Sequence, residues 1–163
     1  MTIQEDPFLP RGLRSAWFDG DGVATRPSAL VLDGVLQRYV LGTYSARKLG
    51  LQSTGNAGGV HNLLVDANAE GLDALIAGQS RALLVTELMG QGVNPVTGDY
   101  SRGAAGFLIE RGAISHPVDG ITIAGNLRDM FRDIEAVGAD VDPRSHLRTG
   151  AILIGGMTIA GAQ

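Results

Sequence analysis

At 163 residues the chain is long enough for one domain that buries roughly two thirds of the surface its unfolded form exposes, and 44% hydrophobic with 18% charged residues is an ordinary globular balance. A net charge of −4 with 13 scattered basic residues excludes the clustered cations that nucleic acid or an anionic membrane requires. Cysteine is absent, which excludes disulfides, thiol nucleophiles and thiolate metal sites together.

No apolar stretch reaches membrane-spanning length, and the polar, acidic start is unlike a secretory leader, so the expected location is cytoplasmic. The 24 glycines, about twice the usual share, predict many turns and few long helices. Residues 5–13 carry Pro7 and Pro10 and no periodicity, which predicts an extended arm. Asp19-Gly20-Asp21-Gly22 is a doubled turn signal. A calcium loop counted from Asp19 would need an oxygen ligand at Val23 and a glycine at Ala24, so a hairpin turn is the better reading. Residues 29–32 and 35–41 flank Asp33-Gly34, the strongest two-residue hairpin signal. Residues 43–49 predict two helical turns with Thr43 as N-cap and Gly50 as the stop. After a polar glycine loop, residues 60–65 predict a strand, and Leu72, Leu75 and Ile76 share one side of a short helix closed by Gly78.

Residues 83–112 hold the centre of the chain. Leu83-Leu84-Val85 predicts a buried strand. Gly90, Gly92, Pro95, Gly98, Gly103 and Gly106 then predict a long polar loop, because such a density of breakers forbids a regular helix. Residues 107–110 resume the strand, and Arg111-Gly112 predicts a tight reversal. Ile121-Thr122-Ile123 predicts a further strand. From Asn126, an N-cap, the apolar residues Leu127, Met130, Phe131, Ile134 and Val137 recur at helical spacing up to Gly138 and predict an amphipathic helix packed on the sheet. Residues 151–159 predict one or two buried strands. These elements together predict a single α+β domain over residues 1–163, mainly antiparallel sheet that can roll towards a barrel, with a few short packed helices.

The chemistry is sparse. The histidines stand at 61, 116 and 146, with no pair at helical spacing, so no local segment offers two imidazoles to one ion and no metal site is predicted. Ser45-Ala46-Arg47-Lys48 matches S-x-x-K without its accompanying motifs, and Ser101 lacks the glycine two residues earlier that a nucleophile elbow needs. Residues 50–55 have P-loop spacing, yet Asn56-Ala57 stands where lysine and a hydroxyl residue would be required, and Gly90-x-Gly92 enters no helix. What remains is Asp99, Tyr100 and Arg102 beside Gly90 and Gly92. Glycines admit another backbone and an Arg fork matches a carboxylate, so these residues are candidates for a peptide cleft or an interface. The plainer reading pairs Asp99 with Arg102 to hold the loop.

Several stretches closely resemble the C-terminal domain of the PmbA/TldD family, also called modulators of DNA gyrase. They are Gly22-Val23-Ala24-Thr25, residues 44–50 (YSARKLG), residues 53–59 (STGNAGG), residues 86–92 (TELMGQG), residues 97–106 (TGDYSRGAAG), residues 121–128 and Arg144-Ser145, and they cover nearly the whole chain. The resemblance implies a cytoplasmic metalloprotease built from a TldD and a PmbA subunit that cleaves unfolded or modified peptides. TldD-type members carry HExxxH and a cysteine that complete a zinc site. Here no histidine is followed by glutamate, as in PmbA (TldE)-type members, so the resemblance implies no catalytic residue or cofactor in this chain, with zinc in a TldD-type partner. Family members carry a large N-terminal part that this sequence lacks, so it resembles a C-terminal fragment or a naturally shortened relative. The implied partners are a TldD-like subunit or a second copy, and a peptide substrate. A scaffolding or peptide-binding module without proteolysis is the second reading, and an enzyme using Ser45 and Lys48 the third.

Overall fold

The computed structural model describes residues 1–161. In chain order the elements are β1 (Ile3–Asp6), β2 (Ser28–Leu32), β3 (Val35–Leu36), α1 (Thr43–Leu49), β4 (Asn62–Val65), α2 (Leu72–Ala77), β5 (Arg81–Met89), β6 (Asp99–Glu110), β7 (Ala113–Asn126), α3 (Leu127–Arg132), β8 (Ile134–Val137), β9 (Leu147–Arg148), β10 (Ile152–Ile154) and β11 (Thr158–Gly161). They gather into two compact units, Met1–Asn68 with Ala139–Gly150, and Ala69–Gly138 with Ala151 onward. The mainly antiparallel α+β reading holds, and the described sheets are open rather than closed into a barrel.

The first unit is a five-stranded sheet in the order β3-β2-β1-β4-β9, antiparallel except for the β4–β9 pair. Asp33 and Gly34 at φ 50° and 81° make the predicted hairpin turn between β2 and β3. Gly50, left-handed at φ 67°, ends α1 as predicted. The N-cap is Gly42 rather than Thr43, whose N–H and hydroxyl both donate to Asp21 Oδ2, at 2.9 and 2.6 Å. The extended arm predicted over residues 5–13 is corrected at its start: β1 is the central strand of this sheet. Its inward position is held by Glu5, 2% exposed, so a polar residue breaks the apolar alternation by which such a strand is read.

The second unit is a four-stranded antiparallel sheet in the order β11-β7-β6-β5, with β8 and β10 as a separate antiparallel pair. Arg111 and Gly112, at φ 53° and 78°, close the β6–β7 hairpin as predicted. Ala104, Ile121 and Ile123 form the buried centre, with Leu83, Val85, Tyr100, Val118 and Met157 packed around them. Two predictions are corrected here. The polar loop is shorter, because β6 begins at Asp99 and absorbs Gly103 and Gly106. Gly106 belongs to a strand because its neighbour leaves no room for a side chain: a Cβ there would overlap the Leu84 carbonyl oxygen. The predicted helix over residues 126–138 stops at Arg132, since Asp133 leaves helical geometry and Ile134–Val137 pairs with β10. The apolar spacing there has the helical period, and pairing with β10 overrides it. Among the described residues no helix is long and apolar enough to cross a membrane.

Candidate functional site

The turn of residues 90–98 is built from its own hydrogen bonds. Gly90 turns the chain out of β5 at φ 75°. Asn94 Oδ1 accepts from the Val96 and Thr97 N–H groups at 2.9 and 3.3 Å, an Asx turn that fixes the tip. Gly92 accepts from Ser101 N–H at 2.7 Å, and a Cβ at Gly92 would overlap the Ser101 carbonyl oxygen. That close approach is why a glycine stands there. The Asn126 side chain ties the turn to α3, donating to the Thr97 carbonyl at 3.1 Å and accepting from Arg128 N–H at 3.0 Å.

The predicted site residues divide between this turn and the sheet. Asp99 is exposed, and its Oδ2 accepts from the Thr97 hydroxyl at 2.7 Å. Tyr100 and Arg102, half-buried, share the opposite side of β6, two residues apart. Asp99 and Arg102 therefore form no ion pair: Arg102 Nη2 donates instead to the Leu88 carbonyl at 3.3 Å. β6 is interior to its sheet, so the free edges for strand addition are β5 and β11. Glu87 is exposed and needs no buried partner.

On the Tyr100 side, β5, β6, β7 and β11 present an apolar groove of about 430 Å³, walled by residues 152–157. Leu83, Val85, Leu88, Tyr100, Ile123 and Met157 are among the residues that line it, and Arg81 and Glu135 supply charge. Sequence reasoning missed this groove, because its walls come from seven separated elements and no single segment shows them.

A second feature missed in sequence is the buried polar network of the first unit. Glu5 accepts from Arg38 Nη2, from Asn56 Nδ2 at 2.8 Å and from His61 N–H at 2.6 Å, and the His61 Nδ1 atom stands 3.0 Å from Glu5 Oε1. Arg38 also donates to Asn56 Oδ1 at 2.9 Å. Nearby, Asp19 accepts from the N–H groups of Ala57, Val23 and Asp21 at 2.8 to 2.9 Å. Burial pushes the Asp19 carboxyl up, but the N–H groups of Ala57, Val23 and Asp21, with the field of His61, outweigh it and leave it below the usual carboxylate value. The doubled turn signal thus marks a carboxylate that organises a turn.

The other catalytic patterns are not assembled. Ser45 Oγ donates to the Gly42 carbonyl at 3.2 Å, and Lys48 Nζ lies 5.9 Å above the Tyr44 ring. Ser115 stands between Glu110 and His116, but its hydroxyl donates to Glu110 at 2.8 Å, which leaves no imidazole base for its proton.

The family described as the PmbA/TldA metallopeptidase C-terminal domain matches residues 1–161. The chain belongs to that family. Metalloprotease PmbA of Escherichia coli O157:H7 is 50% identical over 161 residues, 99% of this chain and 36% of that protein. A TldD homologue of Haemophilus influenzae is 27% identical over 147 residues, 83% of this chain and 30% of the relative. Among solved structures, a proposed modulator of DNA gyrase from Bacteroides thetaiotaomicron superposes with a TM-score of 0.92 at 34% identity, covering 99% of this chain and 36% of that one. TldE from Thermococcus kodakarensis gives 0.84 at 30% identity, covering 98% and 39%. The chain thus spans about a third of the length of the curated relatives it matches.

A metallopeptidase family implies a metal, and the residues described here do not fit one. Among them no three His, Asp or Glu side chains gather within reach of a single ion. His61, the most buried histidine, has its Nδ1 side against Glu5, which Arg38 and Asn56 already hold. A zinc centre needs three or four such donors around one point.

Proposed function

We propose that this chain is the non-metal-binding, PmbA/TldE-like component of a peptide-cleaving assembly whose zinc is held by a TldD-type subunit. The observation that carries the reading is the identity contrast, 50% to a PmbA protein against 27% to a TldD homologue. In this reading residues 1–163 act as one family domain in the cytoplasm, the partner is a TldD-type subunit, and the substrate is an unfolded or modified peptide. Gly90, Gly92 and Asp99 shape the turn, and Tyr100 and Arg102 present a surface to peptide or partner. The apolar groove beside Tyr100 also suits the second reading, a peptide-binding module with no part in hydrolysis.

Peptide turnover measured with this chain, a TldD-type subunit, both together, and both after chelation tests the proposal. Cleavage that requires both proteins and is lost on chelation is the expected result. Turnover by this chain alone that survives chelation would sink both readings.

A further inference from the structure

Four Asp-Gly pairs stand in the chain, at residues 19–20, 21–22, 33–34 and 119–120. In the first three the glycine N–H is committed to a backbone carbonyl elsewhere: Gly20 to Ala57 at 3.0 Å, Gly22 to Asp19 at 3.0 Å and Gly34 to Met1 at 2.8 Å. Asp19 is further held as the anion by three N–H groups, and Asp21 Oδ2 takes both donors of Thr43. The fourth pair differs. Gly120 N–H donates at 2.6 Å to Oδ1 of Asp119, so that side chain is folded back against the next backbone nitrogen. Both residues are exposed, and neither has a ladder partner in β6 or β11, because the β6–β7 register jumps from Gly106–Val118 to Ala104–Ile121. Gly120, at φ 63°, has open space where a side chain would stand.

We infer that Asp119-Gly120 is a site of spontaneous backbone isomerisation, the place where this chain converts an aspartate to isoaspartate. The Gly120 nitrogen attacks Asp119 Cγ: the N–Cγ bond forms, the Cγ–OH bond of the protonated carboxyl breaks, and water leaves with the amide proton. A cyclic imide results. Water then opens the ring at either carbonyl, and opening at the main-chain carbonyl routes the backbone through the Asp119 side chain. No co-reactant beyond water is needed. Glycine favours the attack, because no Cβ crowds the nitrogen and the backbone is free to take up the conformation that ring closure requires. The product adds a methylene to β7 just before Ile121, which belongs to the buried centre of this sheet.

The test is ageing of the full chain in mildly acidic heavy-oxygen water, followed by peptide mapping with electron-transfer fragmentation, which separates isoaspartate from aspartate at each Asp-Gly pair. The expected result is isoaspartate at residue 119, carrying heavy oxygen from ring opening. It should exceed that at residues 19, 21 and 33 by about fivefold or more, the ratio set by one backbone hydrogen bond that must break first at those pairs. In urea the preference should vanish. Asp119→Glu, which would have to close a larger and slower ring, should remove most of the isoaspartate that a methyltransferase probe counts in the aged chain. Absence of isoaspartate at 119, equal yield at the four pairs in the folded chain, or an unchanged count in Asp119→Glu overturns the inference. So does the same ranking in urea, which would assign the preference to local sequence and not to the fold. The mapping on the unaltered chain decides even if the variant fails to fold.

Discussion

Asp19 shows how a buried charge can be held by backbone alone. Three N–H groups converge on its carboxylate and, among the described residues, no cationic side chain hydrogen-bonds to it, so the charged form is favoured in spite of burial. A carboxyl whose folded pKa lies below its unfolded value stabilises the fold fully above pH of about 4, and that contribution is lost as pH falls through the depressed value. Urea midpoints taken from pH 6 down to pH 3 should therefore fall, and Asp19→Asn should both lower the midpoint at pH 6, by about 1 to 3 kcal/mol in stability, and flatten the acid slope. Asp142 makes a useful contrast. Arg144 beside it pulls its carboxyl down to about 2, yet both side chains are exposed, and pairs of that kind contribute little. Asp142→Asn should leave the pH 6 midpoint unmoved. Glu5 is the more demanding case, because its charge faces the Arg38 guanidinium inside the protein. Removing one member of such a pair strands the other, so Glu5→Gln should cost about 3 kcal/mol. A midpoint within error of the unaltered chain would show that the network is dispensable.

At the scale of elements, the parts that were legible in sequence are those where local chemistry leaves no competitor. Asp33-Gly34 and Arg111-Gly112 both adopt the paired positive φ that their two-residue turns require, and Gly50 and Gly78 close their helices. Elements that depend on a distant partner were not legible. Ile134 and Val137 fall on a helical stripe with Leu127 and Met130, but pairing with Ile154 and Ile152 turns them into a strand. Gly106 reads as loop until β5 supplies a backbone that only glycine can approach. Gly106→Ala should accordingly disrupt the β5–β6 pair, and a fall of at least about 2 kcal/mol in stability is expected from the forced overlap. Asn126→Ala tests the junction from the other direction. It removes both the cap on α3 and the tie to Thr97, and should cost about 1 kcal/mol. Amide exchange confined to residues 90–98 and α3 would confirm that the loss is local, whereas unchanged exchange there would contradict the tie.

Over the whole molecule, a sequence reading could reach the family because its glycine and polar signatures are contiguous, whereas the groove beside Tyr100 is assembled from β5, β6, β7, residues 152–157 and β11. The polar network has the same character: Glu5, Arg38, Asn56 and His61 span most of the first unit's sequence and meet only after folding. That network bears on the metal question as well. A metal ion taken up at His61 would have to strip it from Glu5, and among the described residues no second and third donor stand near enough to compensate. Linkage makes the consequence measurable, since any ion that binds the folded form and not the unfolded one raises the melting temperature. The isolated chain, equilibrated with zinc and dialysed, should retain only a substoichiometric amount by elemental analysis, and chelator should leave its thermal midpoint unmoved. One zinc per chain with a midpoint that falls on chelation would mean that the donor set forms in a conformation other than this one, and the proposed division of labour with a TldD-type subunit would lose its physical basis.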